Sequence, residues 1–233
     1  MMYNKYKLLG TLTLLAVLIS GCGGGGGGTS PNTGGSGNPT DTNLSFKLFP
    51  DNYFLNYNVS ANLAGSDNKG NTYTGSSAEN SLPETTFLSE YAIPIETIIN
   101  FTASNGGFAA VTQNQYFGTN ASDRRFLGVD GDITTVSANT FTIPTTAKIG
   151  DSGTAGTYTD NSGSISTLTW DIKDGFDGNA KLTLLTTTND QLGNLDNTFS
   201  TTYLIKPDGT RLSVELKTFN VNVDLEVVLS GNY

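Results

Sequence analysis

Several groups of residues in this chain have types and spacings that could do chemistry. Gly150-Asp151-Ser152-Gly153 sets a serine between glycines and beside an aspartate, the layout of a nucleophile loop. That mechanism needs an imidazole to take the serine proton, and the chain has no histidine. Lys148 is nearby, but nothing marks a Ser-Lys dyad, and a Gly/Asp/Ser turn between strands is expected. Asp174, Asp177 and Asn179, with Gly175 and Gly178, have the composition of a calcium loop. A helix-loop-helix calcium site wants a bidentate acid near its twelfth position, whereas this stretch runs on into Ala180 and Lys181. A hairpin turn is expected instead. Asp130 with Asp132, and Asp224 with Glu226, are carboxylate pairs of the kind that cleave glycosides when held roughly 5 to 9.5 Å apart. Asp130-Gly131-Asp132 reads as a turn, and Asp224 and Glu226 oppose an apolar face, so both pairs are expected in solvent.

The absence of histidine and the presence of one cysteine, Cys22, exclude Ser-His-Asp and Cys-His catalysis and the usual zinc and copper sites. No catalytic residue, metal site or cofactor is expected. No internal disulfide can form, so the fold must hold by side-chain contacts and backbone hydrogen bonds alone. Trp170, the single tryptophan, alternates with Leu168 and Ile172 and is expected in the core. Tyr53, Tyr57, Tyr73, Tyr91, Tyr116 and Tyr158 form a more open pool for ligand contact. Asn58-Val59-Ser60 and Asn100-Phe101-Thr102 fit the glycan sequon and are read as incidental.

Cys22 closes Ile19-Ser20-Gly21-Cys22 after an apolar stretch from Leu8 to Ile19 and a short basic region with Lys5 and Lys7. A helix crossing a bilayer needs roughly 20 apolar residues, so this shorter stretch reads as a cleaved signal (residues 1–21). The tetrapeptide resembles the lipobox of bacterial lipoproteins, with Ile in place of the usual Leu. The resemblance covers residues 1–22 and implies that Cys22 becomes the first residue, carrying a thioether-linked diacylglycerol. One acyl chain binds reversibly, and two or three make the attachment lasting. The resemblance also implies an outer-membrane destination, since Gly23 stands where an Asp would retain the protein at the inner membrane. Residues 22–43, from the run Gly23 to Gly28 onward, have no large apolar residue and read as a linker. A flexible chain of about 20 residues has a root-mean-square span near 25 Å.

The formal charge of −9 becomes −11 once residues 1–21, with two lysines and no acid, are removed. Such a surface repels phosphate backbones, so nucleic acid is not an expected partner. About 190 residues follow the linker, rich in Thr, Ser, Asn and Gly, with 12 Phe and 8 of the chain's 10 Tyr. That is a strand-and-turn vocabulary. The expected fold is all-β, an antiparallel β-sandwich or curved-sheet meander.

Alternation is clearest in the C-terminal third. Leu168, Trp170 and Ile172 share a face, as do Ala180, Leu182 and Leu184, then Phe199, Thr201, Tyr203 and Ile205. Pro207-Asp208-Gly209 turns into Leu212, Val214 and Leu216. The last strand is expected to place Val221, Val223, Leu225, Val227 and Leu229 on one core face. Leu44 to Leu63 reads as two strands, with Tyr53, Leu55, Tyr57 and Val59 alternating, and Asp67-Asn68-Lys69-Gly70 as a hairpin turn. Ile93, Ile95 and Ile98-Ile99 read as a strand kinked at Pro94, and residues 85–92 as room for one turn. A loose echo of residues 65–74 in residues 150–159, together with Pro144, places a soft boundary between an N-terminal β region (44–144) and a C-terminal β-meander (145–233). The alternative is that the two form one domain.

The expected role is a lipid-anchored envelope protein, a non-catalytic binding or structural module. Its partners would be the membrane, through the anchor, and an envelope protein or glycan. A carboxylate-based glycan hydrolase, or an accessory subunit of a surface assembly, is the alternative.

Overall fold

The computed structural model describes residues 37–121, 124–130, 135–140, 142–160 and 163–233. Cys22, the signal segment, the glycine run, Asp132 and Phe141 lie outside the described residues. Among the described residues the chain is nearly all β, with no α-helix. Its strands are β1 (Ser45–Lys47), β2 (Asn58–Asp67), β3 (Thr72–Ser81), β4 (Thr85–Phe87), β5 (Glu90–Ala103), β6 (Phe108–Gly118), β7 (Phe126–Asp130) and β8 (Thr135–Thr140). They continue as β9 (Thr146–Lys148), β10 (Ser152–Asp160), β11 (Ile165–Phe176), β12 (Asn179–Asn189), β13 (Leu195–Ile205), β14 (Arg211–Asn220) and β15 (Leu225–Asn232).

Thirteen strands form one antiparallel sheet in the order β3-β2-β15-β14-β13-β12-β11-β10-β8-β7-β6-β5-β4. β3 also pairs with β5, from Tyr73 opposite Ala103 to Ser81 opposite Ile95, which brings the two sides of the sheet together as a barrel. Between β7 and β8, among the described residues, Gly128 faces Val136 and Val129 faces Thr135. The large sheet continues past residue 144, since β8 pairs directly with β10. β1 and β9 make a separate two-stranded sheet.

Most neighbours in the sheet follow one another in the chain, the exceptions being β2 with β15, β8 with β10 and β3 with β5, so the hairpin turns alternate between the two ends of the barrel. A single turn chemistry recurs. At Gly70, Gly106, Gly163, Gly193 and Gly209 the glycine N–H donates to the carbonyl three residues earlier, on Asp67, Ala103, Asp160, Asp190 and Lys206. Each glycine has φ between 84° and 88°, the left-handed conformation that a three-residue hairpin loop demands and that other residues resist. The β4–β5 turn instead uses Leu88 and Ser89 at φ 49° and 72°.

The buried apolar faces of the large sheet's long strands point into the barrel. Leu63, Tyr73, Ile95, Ile99, Phe101, Ile172, Leu182, Ile205, Leu216, Val227 and Leu229 are buried there. The expected inward faces of β11, β12 and β13 are all present, with Trp170 8% exposed. Gly153 lies opposite Trp170 and makes room for it, since a Cβ there would stand 2.9 Å from the indole nitrogen. Pro94 does not interrupt β5. The missing donor falls where β3 ends and residues 82–84 bulge before β4, and the Pro94 carbonyl still accepts from Leu82 N–H.

Two strand readings are corrected. Residues 51–56 are turns, with Tyr53 N–H donating to Pro50 and Leu55 and Asn56 N–H to Asn52, so Leu55 is 79% exposed while Tyr53 and Tyr57 are buried. The final strand begins at Leu225. Val221–Val223 forms a 3-10 turn, and both valines are exposed because Asp224 at φ 47° breaks the extended backbone between them and β15. The two echoing segments also differ in role. Residues 65–74 span a hairpin, whereas residues 150–159 run from a turn into the single strand β10.

Residues 37–57 pack at one end of the barrel, here the plugged end. Thr40 Oγ1 donates to the Asn179 carbonyl at 3.0 Å, Lys47 N–H to Pro207 and Leu48 N–H to Thr145, each at 3.0 Å. Phe46, Leu48, Tyr53 and Tyr57 join the core there. The turns after β2, β5, β10, β12 and β14 lie at the opposite, free end.

Candidate functional site

Inside the barrel, above the plug, lies a cavity of about 80 Å³. Phe49 and Tyr53 form its floor. β6 contributes Gln113, Gln115 and Phe117, and β7 Phe126 and Val129. Ile143 and Tyr158 close one flank. The opposite wall comes from Ser166 and Leu168 on β11, Leu184 and Thr186 on β12, and Phe199, Thr201 and Tyr203 on β13. Cross-strand register sets this wall: Leu168 faces Thr186, which faces Phe199, and Leu184 faces Thr201. Apolar and neutral polar side chains therefore alternate around the space, and none of its lining residues carries a formal charge at neutral pH.

The charges lie beside the floor. Tyr203 O–H donates to Glu79 Oε1 at 2.5 Å, and Glu79 Oε2 pairs with the Arg211 guanidinium, whose side chain is 2% exposed. That guanidinium lies 3.7 Å from the Tyr203 ring centre, 4.7 Å from Tyr53 and 5.5 Å from Tyr57, within reach of the ring faces. Arg211 reaches the interior through a β-bulge. Ile205 faces Arg211 while Leu204 faces Ser213, so the inward position that alternation assigns to Leu212 passes to Arg211. Burial opposes the charge on Arg211, but Glu79 and the surrounding tyrosines outweigh it and hold the guanidinium protonated. Burial also pushes Tyr53 and Tyr203 well above the ordinary phenol value, so both stay neutral donors. Sequence periodicity missed this cluster because Glu79 sits in the polar run of β3 and Arg211 at a strand start.

The residues singled out for chemistry are placed apart from the cavity. Asp174 Oδ1 accepts from Phe176 N–H at 2.7 Å and from Thr40 N–H at 3.3 Å, and Asp177 Oδ1 from Asn38 N–H at 3.0 Å. These backbone donors, Phe176 first and Thr40 with it, hold the Asp174 carboxyl below its ordinary value. The oxygen-rich loop thus fastens the start of the plug, with Asn179 donating to the Phe176 carbonyl. Asp151 caps its own turn by accepting from Lys148 N–H at 2.8 Å, and Ser152 opens β10. Asp224 pairs with Lys69 at 3.3 Å and Glu226 with Lys217 at 2.8 Å, both at the surface. Asp130 ends β7. Of the tyrosines read as an open pool, only Tyr91 is open, at 72% exposure; Tyr53, Tyr57, Tyr73, Tyr116 and Tyr158 are buried, because each falls in the core or, for Tyr116, under the stacked ring of Phe87 at 4.0 Å.

The free end carries a second feature. Phe108, Ile165, Leu192, Leu195, Val221 and Val223 are exposed at its turns, Leu192 to 86%. Neighbouring turns are tied together: Asn222 Nδ2 donates to Asp196, Asn68 Nδ2 to the Asp224 carbonyl and Thr72 N–H to Ser104 Oγ. Closure of the sheet leaves only short edges among the described residues, β4 and the β1–β9 pair. No group of three or more acidic, histidine or cysteine side chains is placed to hold a metal among the described residues. Comparison with protein-family models and with curated proteins finds no match.

Proposed function

We propose that the chain is a lipid-anchored, non-catalytic binding module of the bacterial envelope, attached through Cys22 at an outer membrane and presenting the free end of its barrel to partners. The observation that carries this reading is the opposition of the two ends. Residues 37–57, which continue the linker, pack into one end, while the exposed apolar side chains Phe108, Ile165, Leu192 and Leu195 are at the other. A surface that combines rigidly held turns with exposed apolar groups is suited to contact a protein or glycan.

A hydrolase reading has less support. Two acids must face one another across a cleft, and Glu79, the carboxylate beside the cavity floor, is already held by Arg211 and Tyr203.

The test is intact mass and membrane partition of the protein from a bacterial host, with and without Cys22→Ser. Cleavage before Cys22 with added acyl chains, and an unprocessed, unacylated variant, is the expected result. A soluble, unmodified wild-type product overturns the anchor.

A further inference from the structure

We propose that the barrel cavity is a binding site for a small uncharged molecule with a ring-shaped apolar body and a hydrogen-bonding edge. This deepens the binding-module reading and rests on it, but it is independent of acylation at Cys22.

The size comes first. A void needs on the order of 10–15 Å³ to hold one water, and this one is about 80 Å³. Space left empty in a core forfeits contacts and normally closes by repacking. Here the wall residues sit in regular register, so the sheet itself holds the space open.

The polarity comes next. Gln113 and Gln115 are two apart on β6 and so project to the same, inward face. Their side-chain amides make no hydrogen bond to any described residue, although neighbouring polar groups inside the barrel, such as Ser166 with Thr188 at 2.8 Å, are paired. Two adjacent amides facing a cavity offer both donors and acceptors to an occupant.

Charge settles the class. An ionised ligand would lose its hydration and find no counter-ion, since Glu79 and Arg211 already neutralise each other. The ring faces of Phe117, Phe126 and Phe199 supply apolar area for a ring to lie against.

The full chain is titrated with phenol, benzene and benzoate while the side-chain amide signals of Gln113 and Gln115 are followed by NMR. Phenol is expected to shift both signals saturably, benzene to bind more weakly and benzoate not to saturate. In Gln113→Leu/Gln115→Leu, followed by backbone amides of β6 and β12, phenol affinity is expected to fall about five- to tenfold toward that of benzene, the loss of one hydrogen bond. Leu184→Phe, which fills the cavity without touching the amides, is expected to weaken phenol and benzene together. The proposal is overturned if neither neutral probe saturates, so that the cavity holds water only. Benzoate binding as tightly as phenol, or phenol binding unchanged in both folded variants, overturns it equally.

Discussion

Glu79 and Arg211, separated by 132 positions in the chain, form a buried ion pair inside the barrel, with Tyr203 donating to the other oxygen of the same carboxylate. The pair joins β3 to β14 across the two strands that lie between them in the sheet, and the Tyr53 and Tyr57 rings of the plug rest against its guanidinium. Plug and barrel are therefore coupled through one charged group. Removing either partner strands a buried charge, so Glu79→Ala or Arg211→Ala is expected to cost about 3–5 kcal/mol. Glu79→Leu combined with Arg211→Met, which removes both charges and keeps much of the volume, is expected to cost less than either single change. Urea midpoints of the four proteins measure this.

Alkaline pH is expected to unfold the protein. Burial raises Tyr53, Tyr158 and Tyr203 above the ordinary phenol value of 10.0. Above about pH 10 the unfolded chain releases protons that the folded chain keeps, so stability falls as pH rises. The contribution is fully present below that value. With no histidine in the chain, stability is expected to be flat from about pH 6 to 9. Phenolate absorbance and circular dichroism should change together in one steep step; a gradual phenolate rise with the fold intact would contradict the burial of these rings.

Asp67 gives the acid limb. Burial acts to raise its carboxyl, but hydrogen bonds from Tyr73, Asn71 and Lys69 outweigh that and hold it below the ordinary value. The Tyr73 hydroxyl donates at 2.6 Å. The stabilisation is present above the ordinary carboxyl value of 3.8 and is lost as pH falls through the lower folded value. Asp67→Ala is expected to lose about 1–3 kcal/mol at neutral pH, with the difference from the parent shrinking at the acid end of a pH series of melts.

Gly153→Ala tests the seat of Trp170. The added Cβ would meet the indole at 2.9 to 3.1 Å, so the ring must move. A loss of about 1–3 kcal/mol is expected, with a red shift of the single tryptophan's emission. An unchanged spectrum and melting point would remove Gly153 from that role.

Exposure at the free end predicts a contrast. Leu192, 86% exposed, is expected to tolerate replacement by Asn within about 0.5 kcal/mol, whereas Leu182→Ala in the barrel wall is expected to cost about 2–5 kcal/mol. Thermal melts of both variants check it.

The strands β11 to β14 were legible in the amino-acid order because alternation and turn glycines are local signals. Leu168, Trp170 and Ile172 must share a face wherever the strand lies, and Pro207-Asp208-Gly209 must turn because only glycine takes φ 85° without strain. Periodicity failed where the backbone left the extended state. Tyr53 and Tyr57 alternate like strand residues but belong to turns, and Val221 and Val223 imitate the first residues of β15. The cavity was not legible either. Gln113 and Gln115 are polar, so hydropathy gives no sign that they face inward, and only the closure of β3 on β5 determines that their face is the inner one.

By itself, the sequence determined an all-β chain, the exclusion of histidine-dependent chemistry and the shared faces of β11, β12 and β13, since composition and near-neighbour alternation require no knowledge of distant contacts. Tertiary structure alone decided that the sheet closes, that Arg211 turns inward at a bulge to meet Glu79, that the oxygen-rich loop fastens the plug, and that an uncharged cavity remains above it. Each of these depends on pairings between residues far apart in the chain, whose cost in chain entropy is offset only when the whole sheet is assembled.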